Sequence, residues 1–196
     1  MKLHIDRGSY SRADIVRYFF ALLPDPALAE SIRLFAAKEA ARHDGAAALL
    51  ARERLHMTVA ITDDMIGARR DVEDRLMAVG AGVAAEKFAL PLVGLRETSR
   101  SVALVPHGRQ DAARALHEGL AAGMRRAQVG MRAEWRFSPH MTLFYRSGVQ
   151  TQMALKEGFV LDCDRFVLIR SHVGRTRHDP LASWPLQSDG GQGSLF

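Results

Sequence analysis

A single cysteine, Cys163, leaves no partner for an internal disulfide, which excludes a disulfide-stapled secreted scaffold and fits a reducing, cytoplasmic setting. Long apolar runs are missing as well. The longest stretch without Asp, Glu, Lys or Arg, Leu76–Ala85, has ten residues, whereas a membrane-spanning helix needs roughly 18 or more. Residues 1–14 carry charged and polar groups throughout and lack the apolar centre of a signal peptide. Glycine (16) and proline (7) stand at ordinary levels for 196 residues, so collagen-like and low-complexity chains are excluded. No block of five or six like charges occurs, so no basic arm is indicated.

What remains is an average composition, 47% hydrophobic and 25% charged, in a chain long enough to bury a core. The formal net charge of +5 raises the local concentration of polyanions; it permits a nucleic-acid ligand without arguing for one.

Periodicity supplies the elements. Ile15–Leu23 is an apolar, aromatic run that reads as a buried strand. In the following Pro24-Asp25-Pro26, Asp25 suits an N-cap and Pro26 the first helical position. Leu28, Ile32 and Phe35 then mark one face of a helix running to about His43, broken by Asp44-Gly45. Strands are expected at 55–62, 87–95, 101–105 and 137–145, with one or two more over 159–173 and a short one over 181–186. Helices are expected over 68–78 and 111–127. Mixed strands and helices with hairpin-like neighbours favour an α+β fold. Residues 1–14 are expected to be a poorly ordered extension, and 188–196 a flexible Gly-rich tail.

The informative feature is a repeat. His56-Met57-Thr58-Val59 and His140-Met141-Thr142-Leu143 are near-identical, 84 residues apart, each at the start of an expected strand that follows a helix. In a strand, residues i and i+2 share a face. His56 and Thr58 therefore project together, while Met57, Val59 and Ile61 are expected to enter the core; the second copy repeats the pattern. Two lobes facing each other would gather two imidazoles and two hydroxyls around one small volume. That set suits a phosphoryl group: one imidazole as base, the other as acid, and the hydroxyls on phosphate oxygens. Neither copy has a second His, Cys or carboxylate at metal-ligand spacing, so the site reads as free of metal and cofactor.

At these residues the chain resembles the 2H phosphoesterase superfamily, and more closely its RNA 2′,3′-cyclic phosphodiesterases, also called 2′-5′ RNA ligases. The resemblance extends from about Ile15 to Leu186 and includes Arg17-Tyr18-Phe19-Phe20-Ala21-Leu22, Phe137-Ser138-Pro139-His140-Met141-Thr142-Leu143 and the closing Gly174-Arg175-Thr176-Arg177-His178 with Trp184-Pro185-Leu186. It implies one bilobal α+β unit over 15–187, each lobe an antiparallel sheet backed by helices, with the site in the groove between. It also implies hydrolysis of an RNA-terminal 2′,3′-cyclic phosphate to a 2′-phosphomonoester without metal. His56 would protonate the departing 3′ oxygen, His140 would activate water, and Thr58 and Thr142 would hold the phosphate; the sequence itself does not separate the two histidine roles.

Departures bear on the substrate. Where the family often has Arg five residues after the second His, Tyr145 stands, with Arg146 next. If the strand stays regular that far, alternation would send Arg146 to the face of His140 and Thr142, as a phosphate contact or else an ordinary strand-end cation. His178 stands where the family tends to have Tyr. Arg100 reads as a solvated turn residue, Trp135 and Trp184 as core or groove wall, and His4, His43, His107, His117 and His172 as surface residues. Cys163 has no motif-level His or Asn beside it and is not expected to be a nucleophile. The expected partner is RNA with a 2′,3′-cyclic phosphate end or a small cyclic nucleotide, bound by a monomer that contacts no membrane. A cyclic phosphate on ADP-ribose, a non-catalytic RNA-end binding module and reverse 2′-5′ ligation remain as alternatives.

Overall fold

A computed structural model describes residues 15–43, 48–146 and 148–188. The expectations for the 1–14 extension, His4, Asp44-Gly45 and the tail from 189 on lie outside the described residues. Strand β1 (Ile15–Leu22) ends at Pro24-Asp25-Pro26, and there the Asp25 carboxylate accepts the backbone N–H groups of Ala27 (2.8 Å) and Leu28 (3.0 Å). Helix α1 (Pro26–Ala40) thus starts where the cap and the proline require. β2 (Ala48–Leu49) and a 3-10 turn at Arg52–Arg54 lead into β3 (Met57–Ile61), β4 (Met65–Ile66) and α2 (Arg70–Ala81). The rest of the chain forms β5 (Phe88–Glu97), β6 (Ser101–Pro106), α3 (Asp111–Arg126), β7 (Met141–Tyr145), β8 (Thr151–Cys163), β9 (Arg165–His172) and β10 (Arg177–Pro185).

Three elements depart from the sequence reading. β8 begins at Thr151, well before the expected 159. It is an edge strand, paired with β5 alone and largely exposed, so no buried face imposes an alternating pattern on its residues. β10 opens at Arg177 and not 181, because its first residues pair with the end of β9 while remaining polar. The segment 137–140, expected in strand, makes no ladder pair, and β7 starts at Met141.

All ten strands form one sheet in the order β10-β9-β1-β3-β7-β6-β5-β8, with β4 beside β1 and β2 beside β7, every named pair antiparallel. The fold is α+β with two halves, β10-β9-β1-β3 and β7-β6-β5-β8, whose strands pair with each other, among the described residues, at Met57↔Met141. Each half has a helix from the other's stretch of chain. α1, which follows β1, packs on β7 and β8; α3, which follows β6, packs on β3; α2 lies against α3, β9 and β10.

The helices cover one face of the sheet, where Tyr18, Phe20, Leu22, Met57, Met141, Leu143 and Phe144 are buried against Ile32, Leu76, Leu116 and Leu120. Close packing there uses a glycine: a Cβ on Gly80 of α2 would lie 2.5 Å from the Trp184 ring. On the opposite face, Phe19, Ala21, Val167 and Ile169 form a second, smaller apolar cluster with Ile61. β1 separates its even- and odd-numbered side chains between the two faces, as a strand of period two must.

Candidate active site

The junction of the halves positions the two tripeptides. Met57 and Met141 pair across it, both fully buried on the helix side. Continuing the antiparallel register sets His56 opposite Thr142 and Thr58 opposite His140, all four on the other face. There His56, Thr58, His140 and Thr142 line one cleft of about 340 Å³.

Both strands then bulge at the same point. Phe20 and Ala21 of β1 pair with Ala60 and Thr58, leaving Val59 as one extra residue in β3. Val102 and Ala103 of β6 pair with Phe144 and Thr142, leaving Leu143 extra in β7. Each freed carbonyl finds a donor: Val59 accepts from His117 Nδ1–H (2.8 Å), and Leu143 from the N–H of Leu50 (3.0 Å). The extra residue reverses the alternation beyond it. Val59 and Ala60, like Leu143 and Phe144, are buried, and the next residues, Ile61 and Tyr145, line the cleft.

This corrects two expectations. Ile61 faces the cleft and not the helix-side core. Arg146 does not line the cleft: the bulge turns its side chain away, toward Glu97 Oε2 (3.1 Å) and His43. The alternation that recommended Arg146 holds only for a ladder without an extra residue.

The two imidazoles are held alike. His56 Nδ1 lies 2.6 Å from the Arg54 carbonyl and His140 Nδ1 lies 2.7 Å from the Ser138 carbonyl, in each case two residues back. A carbonyl only accepts, so each Nδ1 carries the proton and each Nε2 is left for the cleft. Their surroundings differ. The His56 ring stacks on Phe19 (centroids 4.8 Å apart) and meets the edge of His178 (5.3 Å). Burial pushes His56 down to about 4, the charges of His140 and Arg54 push the same way, and the hydrogen bond to the Arg54 carbonyl opposes them. His178 is likewise pushed down to about 4 by burial and by His56 and Arg54. His140 is lowered by burial, opposed by its bond to Ser138, and lowered further by Arg96. In the free protein all three are neutral at pH 7.

Cleft residues that were not singled out as site residues from sequence include Arg17, Phe19 and Arg54. Arg54 closes the 3-10 turn before β3, outside the expected strand, so the alternation that joins His56 to Thr58 does not reach it. Phe19 was legible as apolar, but nothing local says which face of β1 meets the cleft. Arg17 is engaged by Asp64 (2.8 Å).

The remaining candidates lie elsewhere. Arg177 pairs with Asp179 (2.7 Å), and Arg100, exposed, accepts from Arg146 N–H through its carbonyl and donates its own N–H to Thr98 Oγ1 (3.2 Å). Trp184 packs on Phe166 and Phe20, and Trp135 beside His117 and Phe137. Cys163 is buried, its thiol pushed up to about 12 by burial and by Asp162 and Asp164. His107 is exposed as expected, but His43, His117 and His172 are half-buried. They face Glu97 and Arg146, the Val59 carbonyl and Asp179 respectively. Among the described residues, no helix is long and apolar enough to cross a membrane.

Against known proteins, the family model described as the 2′-5′ RNA ligase superfamily matches residues 24–175. The crystal structure of E. coli LigT complexed with ATP is 26% identical, covering 89% of this chain and 100% of that one at a TM-score of 0.69. The same protein complexed with 3′-AMP gives 25% identity, the same coverages and a TM-score of 0.72. TT0787 of Thermus thermophilus, 18% identical over 88% of this chain and 99% of that one, shares the fold at a TM-score of 0.69. No curated protein matches by sequence.

Proposed function

The chain belongs to the 2′-5′ RNA ligase superfamily, the 2H phosphoesterases, and from that premise we propose that it hydrolyses an RNA-terminal 2′,3′-cyclic phosphate to a 2′-phosphomonoester, without metal or other cofactor. The observation that carries the proposal is the pair of His-x-Thr tripeptides in one cleft, both imidazoles held through Nδ1 with Nε2 unused among the described residues.

In the proposed reaction a water attacks phosphorus, the P–O3′ bond breaks, and O3′ leaves as a hydroxyl. One neutral Nε2 takes the proton from water, the other Nε2–H gives one to O3′, and the hydroxyls of Thr58 and Thr142 donate to non-bridging oxygens. The surroundings favour an exchange of the roles carried over from the family. His56 is the ring stacked under Phe19, beside His178 and Arg54, so a proton shared by the pair resides on His140 in the free protein. His56 is then the base and His140 the acid.

A basic pocket next to the cleft supports RNA over a small cyclic nucleotide. It is lined by Arg96, Arg109, Arg114 and the Ser138-Pro139 segment that leads to His140. Arg96 donates weakly to Ser138 Oγ (3.4 Å), and among the described residues neither Arg96 nor Arg114 pairs with a carboxylate. A second phosphate of a strand would meet these cations, whereas a mononucleotide has none to offer. That LigT has been crystallised with 3′-AMP and ATP supports a nucleotide-bearing ligand for the cleft as well. Ligation would be the same displacement with a 5′-hydroxyl in place of water as the nucleophile, again breaking P–O3′, and is disfavoured by the excess of water.

The test is turnover of a short RNA ending in a 2′,3′-cyclic phosphate, in EDTA, by wild type, His56→Ala and His140→Ala. Release of the 2′-phosphate, reduced about 10²-fold or more in each variant, is the expected result. An inactive wild type that still binds the RNA end would replace the enzyme with a binding module, and turnover of 2′,3′-cyclic AMP alone would move the substrate to a small nucleotide.

A further inference from the structure

The cleft contains two guanidinium groups, and they are not equivalent. Arg17 is held by Asp64, its Nη2 donating at 2.9 Å and its Nε lying 2.8 Å from the other carboxylate oxygen; that Nε, like the Nε of Arg54, is buried without a hydrogen bond, so the carboxylate is what separates the two. Arg54 has no carboxylate within 4 Å among the described residues, and its Nε is buried without a hydrogen-bond partner. Its main chain is committed: the N–H donates to Ala51 O and the carbonyl accepts from His56 Nδ1–H. Its side chain lies among His56 and His178, neutral rings that it further discourages from taking a proton. A fixed cation with an orphaned donor, walled by rings that offer it no counter-charge, is a half-finished contact.

The second half supplies no equivalent. Ser138 occupies the position two before His140, and its hydroxyl faces Arg96. Tyr145 occupies the cleft position after the bulge, and Arg146 is turned toward Glu97. Arg96 itself lines the neighbouring pocket and not the cleft.

We propose that Arg54 is the cation that binds the phosphate of the ester in this cleft, so that the charge for the anion comes from the turn before β3 and not from the end of β7. The assignment rests on the phosphoesterase reading of the cleft. A planar guanidinium offers two parallel donors to two phosphate oxygens, and the buried Nε is one of them. Because the same residue orients His56 through its carbonyl, the phosphate is bound at a set distance from the imidazole that acts on it. Bound anion also offsets the field of Arg54 at His56.

The experiment measures inorganic phosphate affinity and His56 titration by NMR, together with steady-state kinetics, for wild type, Arg54→Ala, Arg54→Lys, Arg17→Ala and Arg146→Ala. Arg54→Ala is expected to weaken phosphate binding about ten- to hundredfold, with a matching rise in KM larger than any fall in kcat. Arg54→Lys should recover part of the affinity, and His56 should titrate at higher pH in Arg54→Ala than in wild type. Arg146→Ala should bind phosphate as wild type does. Phosphate affinity in Arg54→Ala within twofold of wild type, or a loss confined to Arg17→Ala, overturns the assignment, as does a wild type that binds no phosphate. If the wild type binds phosphate through Arg54 but turns over no cyclic phosphate, the reaction is wrong and the assignment stands. If it turns over and Arg54→Ala is unaffected, the reverse holds.

Discussion

At the scale of single residues, the two histidines share a hydrogen-bond arrangement and differ in environment. Nδ1–H donation to a carbonyl sets the same tautomer in both, yet His56 sits under Phe19 and beside two groups that repel a proton. The pH dependence follows with its sign. The proposed acid–base reaction needs one imidazole protonated and one neutral, and in the free protein that form exists between about 4, where His56 is placed by burial, and the lowered value of His140, below 6.5. The profile of kcat/KM should therefore peak below pH 6.5 and fall as pH rises above it. Bound phosphate anion raises both groups, so the kcat profile should lie at higher pH than that of kcat/KM. A kcat/KM that climbs through pH 7.5 would contradict these environments.

At the scale of elements, the paired bulges aim the site. Each adds one residue directly after the threonine, so β3 and β7 return to the helix-side core for two residues before exposing Ile61 and Tyr145 to the cleft. A bulge persists when the carbonyl it frees is satisfied, and α3 does this for β3 through His117. Replacing His117 with Phe keeps the stacking on Phe137 (centroids 4.7 Å apart) and removes the donor to Val59. Stability should fall by about 1–3 kcal/mol in urea unfolding, the cost of a buried carbonyl left unpaired. Activity should fall too, because Thr58 sits one residue from the bulge; a variant with unchanged unfolding midpoint would show that the bulge needs no donor from α3.

At the scale of the whole molecule, two half-sheets pair, among the described residues, at Met57↔Met141 and exchange helices, so the cleft face is open across the junction while the helix face is continuous core. A separate basic pocket is lined by Arg96, Arg114 and the Ser138-Pro139 segment that leads to His140. The double variant Arg96→Ala/Arg114→Ala should raise KM for a cyclic-phosphate oligonucleotide while leaving KM for 2′,3′-cyclic AMP within about twofold of wild type. Each lost phosphate contact should also flatten the salt dependence of RNA binding by about 0.7 in log–log slope. An equal effect on both substrates would place the pocket outside the strand's path.

The sequence by itself determined what depends on neighbours along the chain. The Asp25 cap and Pro26 start α1, the apolar stripes set α1 to α3, and period two puts His56 with Thr58 and His140 with Thr142 on shared faces. The tripeptide repeat and its flanking motifs likewise pointed to the family. Tertiary structure decided what depends on a partner strand. An extra residue at Val59 or Leu143 is defined only by what lies opposite, so no alternation read along one strand could foresee that Ile61 and Tyr145 enter the cleft and Arg146 leaves it. The exposed first part of the edge strand β8, before residue 159, was illegible for a related reason, since a pattern is imposed only where a face is buried. The placing of Arg54 and His178 around His56 joins β10 to a turn more than a hundred residues earlier, a juxtaposition that only the closed sheet creates.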